Sequence, residues 1–285
     1  MSFQSIIYYL REYFFPTGCG GCGKALGPAD ARYGLCEKCR AAFGIAFVIG
    51  RRCRHCGKPL ITERELCLSC RNTVASEKIA DGMEAAENDI YNGHIKRLHV
   101  LFPYDGKFRG VLGSYKFERA TALGIFFARY LSLSLDVFGK QVLEPEAPGK
   151  AAWVPVPPKP GKIRHQGWDQ VEFLAKQLGK TIGFTHGKTA GFTRGKVGGL
   201  TGSKNGCLPV KRCLKRLPSR SQKLLNREER LANLKGRIRC VKRPPETAVL
   251  FDDVITTGAT IDACAAALLE AGAKQVYAVC LFYRS

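Results

Sequence analysis

Two adjacent carboxylates, followed by a hydroxyl- and glycine-rich turn, form the segment of this chain that is best suited to chemistry. The apolar residues 249–251 predict the end of a strand buried on both faces, and Asp252 and Asp253 follow directly. A helix that begins at the next turn would direct unpaired backbone N–H groups and its dipole at an anion. Strand, turn and helix in this order predict a phosphate cradle with two acids beside it. The residues of the turn are Thr256, Thr257, Gly258, Ala259 and Thr260.

The elements around this segment predict an α/β fold with a parallel sheet. Apolar residues at helical spacing follow the turn, and residues 275–282 predict a further strand. Upstream, residues 98–105 and 151–156 predict two more strands, with helices over 121–135 and 167–178. In such a sheet a ligand binds at the carboxyl ends of the strands.

The general phosphate-binding motifs do not fit this turn. A Walker loop would carry a lysine inside it, and a dinucleotide fingerprint would need three glycines and a distant acid. Two acids beside a monophosphate cradle suit a sugar phosphate, because the loop takes the phosphate and the acids accept hydrogen bonds from ring hydroxyls. An ordinary strand–helix junction whose acids cap the helix is the structural alternative.

The segment resembles the PRPP-binding motif (PRPP, phosphoribosyl diphosphate) of the type I phosphoribosyltransferases. The resemblance implies that Asp252 and Asp253 contact the ribose 2′ and 3′ hydroxyls, and that residues 256–260 hold the 5′-phosphate. It also implies PRPP or a related sugar phosphate as the ligand, with Mg²⁺ as its companion ion.

Cysteine spacing predicts metal sites. Eight of the 13 cysteines form four CxxC pairs before residue 71, and two CxxC turns together complete a closed tetrahedral zinc site. We therefore expect two structural zinc ions, held by two ribbons in series. An interleaved arrangement, in which the first and third pairs share a metal, stays open. The pairs are Cys19/Cys22, Cys36/Cys39, Cys53/Cys56 and Cys67/Cys70.

A disulfide framework is the alternative for these cysteines, and it would require an oxidising compartment and a signal peptide. Residues 2–10 are apolar, but Arg11 and Glu12 interrupt them and no cleavage site of small residues follows. Zinc is therefore favoured. A module this small buries too little surface to be stable without metal, so we expect chelation to unfold residues 19–70 and to spare the larger domain.

The net charge of +21 is unevenly distributed along the chain. Between Glu172 and Glu228 there is no acidic residue, while thirteen lysines and arginines occur. This deficit indicates a polyanionic partner. Residues 183–188 recur in related form as 191–196, rich in glycine and cations, with one phenylalanine each. Such segments suit single-stranded nucleic acid, and a lengthened disordered loop is an equal alternative.

Three parts are predicted along the chain. They are an amphipathic N-terminal helix over residues 1–18, a double zinc ribbon over 19–85, and a phosphoribosyltransferase-like domain over 86–285 with a basic Gly-rich insertion at about 183–206. No apolar stretch is long enough for a transmembrane segment. We expect a cytoplasmic protein, and peripheral contact of the first helix with the inner face of the membrane stays open.

In this order the motifs resemble the ComF family, competence-associated proteins with a double zinc ribbon ahead of a phosphoribosyltransferase-like domain. The resemblance covers essentially the whole chain. Two positions depart from it, because the family usually has arginine and asparagine where this chain has Gln166 and Asp169. Between the two strong ends the resemblance rests on Tyr104, Lys116, Phe117, residues 155–157, residues 167–170, Gln222, Leu225, Arg230 and Asn233.

The family resemblance implies a role in DNA uptake and single-stranded DNA handling during natural transformation, with single-stranded DNA and a competence helicase as partners. The alternative function is an active phosphoribosyltransferase that acts on an unidentified acceptor in nucleotide metabolism. No residue stands out as a base for an acceptor, so the catalytic residues are unknown and enzyme activity stays open. The resemblance implies that Lys159, Lys162 and Arg164 meet the pyrophosphate. It also implies that the loop with Arg227 and Arg230 closes over the site and excludes water.

Overall fold

A computed structural model of the chain describes residues 18–49, 52–53, 60, 66, 94–142, 151–181, 208–218, 234 and 236–284. The helices are α1 (Pro28–Ala31), α2 (Glu37–Ile49), α3 (Gly106–Phe117), α4 (Thr121–Val142), α5 (Lys162–Gln166), α6 (Gln170–Thr181) and α7 (Ala259–Glu270). The strands are β1 (Arg97–Pro103), β2 (Ala151–Pro155), β3 (Leu214–Arg216), β4 (Ile238–Cys240), β5 (Thr247–Ile255) and β6 (Gln275–Tyr283).

Four of these strands form a parallel sheet in the order β1-β6-β5-β2. Residues 208–211 run beside β2, because the backbone N–H groups of Trp153 and Lys211 donate to the carbonyls of Pro209 and Trp153, both at 2.8 Å. Strands β3 and β4 form a separate antiparallel ribbon. The predicted parallel α/β fold is confirmed.

Both faces of the sheet are buried, as the continuous apolar strands require. Successive side chains of a strand point to opposite faces. Val249 and Phe251 of β5 therefore belong to the cluster that contains α2, α3, α4 and α6. Ala248 and Leu250 belong to the cluster that contains α7 and the β3–β4 ribbon. The sheet separates these two hydrophobic layers.

Phe43 of α2 joins the amino-terminal cysteine module to the core of the sheet. Its side chain is fully buried, and its ring centroid lies 4.8 Å from that of Phe102 in β1 and 4.7 Å from that of Phe108 in α3. The ring of Phe126 in α4 lies 5.4 Å away. Edge-to-face contacts of this kind contribute beyond the buried area alone. The described residues of the predicted zinc ribbon and of the predicted larger domain thus share one core.

Several predicted segments lie outside the described residues. They are the N-terminal helix up to residue 17, the Gly-rich insertion at about 183–206, and most of the second cysteine set. The three-part division of the chain stays a prediction. Among the residues that the structure describes, no helix has both the length and the apolarity of a membrane span.

Candidate functional site

The thiols of the first two CxxC pairs converge on one point. The Sγ atoms of Cys19, Cys22, Cys36 and Cys39 all lie within 4.8 Å of one another. Those of Cys22 and Cys36 are 3.7 Å apart. The first and second pairs therefore share a site, which is the serial arrangement. Four cysteine sulfurs at this spacing are the ligand set of a closed, structural zinc site.

The electrostatics of these thiols fit a bound cation. Burial raises the pKa of Cys19, but hydrogen bonds from backbone N–H groups lower it by a larger amount. The net effect is a pKa of about 7. The N–H of Cys36 donates to Cys19 Sγ at 3.3 Å. Burial and the neighbouring cysteines raise the pKa of Cys39. Four thiolates so close together are stable only when a cation neutralises them, and the cysteine set therefore fits Zn²⁺.

The turns that carry these cysteines pack directly on helices α3 and α4. A Cβ atom at Gly21 would lie 2.9 Å from Cys39 Sγ and 3.2 Å from Val111 of α3. Gly34 has a left-handed φ of +67°, and a Cβ atom there would lie 3.2 Å from Leu123 of α4. Only glycine fits a left-handed turn in such close contact. The metal site is therefore seated on the helices of the larger fold.

Of the second cysteine set, the described part of the chain includes Cys53. Its side chain is buried in the hydrophobic layer that contains α7. Cys56, Cys67 and Cys70 lie outside the described residues. A second zinc site stays a prediction.

The predicted phosphate cradle forms the junction between β5 and α7. Strand β5 continues through Asp252 and Asp253 to Ile255, so the two acids lie within the strand rather than after it. Gly258 has a left-handed φ of +80°, and α7 begins at the next residue. A shallow pocket at the junction contains all the predicted loop residues, and it is lined by Asp252, Val254 and residues 255–261.

Asp253 is buried and already holds two partners. Its Oδ2 lies 3.0 Å from Lys116 Nζ and accepts a hydrogen bond from Gln170 Nε2 at 2.6 Å. Burial lowers the pKa of Lys116, but the charge and hydrogen bond of Asp253, together with the charge of Asp252, outweigh this, so the pKa is raised. Lys116 lies at the end of α3 and Gln170 begins α6. Asp253 therefore connects both helices to the carboxyl end of β5.

Asp252 points to the opposite face of the sheet, because it neighbours Asp253 in the same strand. It is partly buried and lines the junction pocket. Its Oδ1 accepts a hydrogen bond from the backbone N–H of Asp253 at 2.8 Å. Burial, and then the charge of Asp253, raise the pKa of Asp252 well above its ordinary value. A ligand that brings hydroxyl donors or a cation would stabilise this carboxylate.

Lys162, one of the predicted pyrophosphate cations, is bonded to an acid of the next helix. Its Nζ donates to Asp169 Oδ2 at 2.6 Å and also to the side-chain oxygen of Gln170. Asp169 Oδ1 accepts from the backbone N–H of Glu172 at 2.8 Å, and it therefore caps the start of α6. Asp169, which stands where the family that the sequence resembles usually has asparagine, thus caps α6 and neutralises the charge of Lys162.

The other predicted cations divide into two groups. Lys159 and Arg164 are exposed and line a cleft of about 510 Å³ beside the loop that follows β2. Arg227 and Arg230 lie outside the described residues. Arg216 of β3 lines the same cleft, and it is not among the site residues that the sequence predicts. One arginine among many cations in a basic stretch gives no signal that marks it out.

Two comparisons with known proteins bear on this site. Residues 10–71 match the family described as the double zinc ribbon domain. Competence protein ComFC of Streptococcus pneumoniae (strain ATCC BAA-255 / R6) is 26% identical to this chain over 213 residues, which cover 74% of this chain and 78% of that protein.

Proposed function

The chain belongs to the ComF family, and from this premise we propose that it binds PRPP with Mg²⁺ and assists single-stranded DNA handling in DNA uptake. Its competence-associated relative and its zinc ribbon support the cellular context. The ligand and the DNA are supported by separate features of the α/β domain.

The junction between β5 and α7 carries the PRPP part of the proposal. A helix of 12 residues starts at this junction, and its unpaired N–H groups and dipole favour a phosphate. Asp252 lies beside that helix start, and its carboxylate gains from hydroxyl donors such as those of a ribose. Asp253 is fixed by Lys116 and Gln170 and holds the strand end in place.

Mg²⁺ has a defined part in this proposal. Mg²⁺ prefers oxygen ligands and binds readily through one or two carboxylates together with substrate phosphates. Asp252 is the carboxylate at the pocket that would take part. When bound, the ion would neutralise charge on the diphosphate.

Charge supports the DNA part of the proposal. A protein with a net charge of +21 attracts the phosphate backbone of nucleic acid at long range. Exposed cations line the cleft beside β2, among them Lys159, Arg164 and Lys215. No acidic residue lies among the described residues that line it. A positively charged surface of this kind suits a single strand.

A second candidate function is phosphoribosyl transfer to an acceptor. One observation favours it. The cleft is lined by the loop that follows β2, and β2 pairs with β5, the strand that leads into the phosphate cradle. A second molecule therefore has room to bind near the cradle. Release of pyrophosphate from PRPP that depends on an added acceptor would establish transfer.

Thermal unfolding with and without PRPP and Mg²⁺ tests the PRPP part. The wild type should melt at a higher temperature with the ligand, because binding to the folded state stabilises it. Asp252→Asn should lose this shift. Glu246→Gln makes the same chemical change in an exposed ion pair, just before the amino end of β5, and should keep it. Equal shifts in all three proteins would refute PRPP binding at the junction.

Titration of a fluorescent single strand at increasing salt tests the DNA part. Contacts with phosphates release counterions, so affinity should fall steeply with salt. An affinity that does not change with salt would refute the electrostatic role.

A further inference from the structure

Arg216 is a buried cation, and two of its three side-chain nitrogens have no hydrogen-bond partner among the described residues. The residue is 7% exposed, and its Nε and Nη2 atoms have no hydrogen-bond partner within the part of the chain that the structure describes. An arginine offers five N–H donors in a planar fork, and leaving them unpaired inside a protein is costly. Burial lowers the pKa of Arg216, and the negative charge of Asp252 partly opposes this. Among the described residues no acid is hydrogen-bonded to these two nitrogens, so a bound anion would satisfy donors that the protein leaves unpaired.

Arg216 is held rigidly. It lies in β3, where it pairs with Ile238 of β4, and the next backbone N–H, of Leu217, donates to the Arg237 carbonyl at 2.7 Å. Ile238 is buried in the layer beneath α7. A guanidinium on such a ribbon is preorganised, so an incoming anion need not order it.

The cleft in front of Arg216 combines cations with apolar walls. Its cations are Lys159, Arg164, Lys215 and Arg216, and no acid is among its described lining residues. Its apolar residues are Pro157, Pro158, Pro160, Ile163 and Leu214. With about 510 Å³, it lies within the range of small-molecule sites.

The cationic and the apolar residues of this lining together match a ligand that has an anionic part and a flat apolar part. Arginine forms bidentate bonds with phosphate oxygens. Proline and aliphatic side chains offer contact area to a ring but no hydrogen bonds that would identify its edge. An inorganic anion would leave the apolar wall unused, and a neutral base would leave Arg216 unpaired.

We propose that this cleft binds a nucleoside phosphate, with the phosphate on Arg216 and the base against the proline-rich loop. The proposal rests on the proposed function, because it specifies where a nucleotide would lie beside the PRPP cradle. The nucleotide has two possible sources, a free mononucleotide or the phosphorylated end of a single strand. Because the apolar side chains of the lining offer no hydrogen bonds to a base, we expect little preference among the bases.

The test uses the full chain with zinc and three probes. These are thymidine 5′-monophosphate, a short oligothymidylate with a 5′-phosphate, and the same oligothymidylate without it. Binding is measured by calorimetry for the mononucleotide and by fluorescence anisotropy for the strands. The variants are Arg216→Met, which keeps the stem and removes the charge, and Arg164→Gln in α5, which also lines the cleft. Arg239→Gln is the control, because Arg239 is exposed on β4 and does not line the cleft.

We expect Arg216→Met to weaken binding of the phosphorylated probe by about tenfold or more, and Arg164→Gln by a smaller factor. Arg239→Gln should bind like the wild type. Binding of the mononucleotide identifies the free nucleotide as the source. Binding of the phosphorylated strand without the mononucleotide identifies the strand end. If Arg216→Met does not fold, Arg164→Gln decides the result.

Two results would overturn the proposal. One is a wild type that binds neither phosphorylated probe, or binds them as tightly as Arg216→Met and Arg164→Gln do. The other is loss of PRPP binding in Arg216→Met with nucleotide binding unchanged, since the cleft would then serve the sugar diphosphate. A wild type that does not bind PRPP but binds the nucleotide through Arg216 would contradict the proposed function and support this inference.

Discussion

Lys116 Nζ lies 3.0 Å from Asp253 Oδ2, although 136 residues separate the two in sequence. The lysine is on the last turn of α3, the same helix whose Val111 contacts the cysteine turns near Gly21. A single helix thus touches the zinc module and one acid of the predicted ligand motif. Helix α3 therefore connects the two physically.

The buried ion pair predicts the effect of removing Lys116. Lys116→Met would remove the cation beside the buried carboxylate of Asp253 and leave its hydrogen bond from Gln170. An uncompensated buried charge is costly, so we expect the free energy of unfolding to fall by about 2 kcal/mol. Urea unfolding at pH 7 measures it. Lys107→Met, at an exposed position of the same helix, is the control, and a loss no larger than that control's would contradict the assignment.

Local patterns predicted much of this fold. The alternation between apolar runs and turns located β2, β5, β6 and the helices between them, because burial on both faces leaves a continuous apolar signal. The spacing of the CxxC pairs predicted the cluster around Cys19 and Cys39. These features depend on residues close together in sequence.

Contacts between distant residues could not be predicted in the same way. Lys116 and Gln170 belong to the residues that carry the family resemblance, but nothing local in the sequence shows that both would meet Asp253. The different surroundings of Asp252 and Asp253 follow from strand geometry, since neighbours in a strand point to opposite faces. That distinction required knowing that β5 continues to Ile255. The cap that Asp169 provides is different, because an aspartate directly before a helix is a local signal that the sequence itself contains.

The raised pKa of Asp252 predicts a variant with greater stability. Below the unfolded pKa both states are protonated and the acid has no effect. As pH rises above it, the unfolded state ionises first, so wild-type stability falls until the folded pKa is passed. Asp252→Asn cannot ionise, and at neutral pH we expect it to melt about 3 °C above the wild type, with the gap closing in acid.

Thermal unfolding of both proteins across the acid-to-neutral range measures this gap. Glu246→Gln is the matched control, because the ion pair with Lys274 lowers the pKa of Glu246 and the variant should gain nothing at neutral pH. A constant gap at every pH would show that ionisation of Asp252 is not its cause.

Asp169 has two roles that substitutions can separate. Asparagine keeps the capping oxygen but loses the ion pair with Lys162, whereas alanine loses both. Because asparagine and aspartate cap helices about equally well, Asp169→Asn should change stability by less than about 1 kcal/mol, and Asp169→Ala should cost about 1 kcal/mol more. Denaturant unfolding of the two variants checks this. Equal losses in both would mean that the ion pair, and not the cap, stabilises α6.

The shared core changes what zinc removal should do. The sequence alone predicts that chelation spares the larger domain. Because Phe43 packs on β1 and α3, and because the cysteine turns contact Val111 and Leu123, we now expect α3 and α4 to loosen as well. The melting temperature should fall by roughly 5 °C or more.

Hydrogen exchange with and without a chelator measures where protection is lost. Cys22→Ser should reproduce the effect of the chelator, and Cys240→Ser, outside the cluster, should not. Loss of protection confined to residues 19–70 would restore the simpler expectation of an independent module.

The central claim is that the junction between β5 and α7 binds PRPP, and a crystal structure of the full chain with Mg²⁺ and PRPP tests it most directly. The account predicts the 5′-phosphate against residues 256–260 and the ribose hydroxyls beside Asp252, with Asp253 still bonded to Lys116. A junction left empty at saturating ligand, or PRPP bound at another place on the protein, would contradict it.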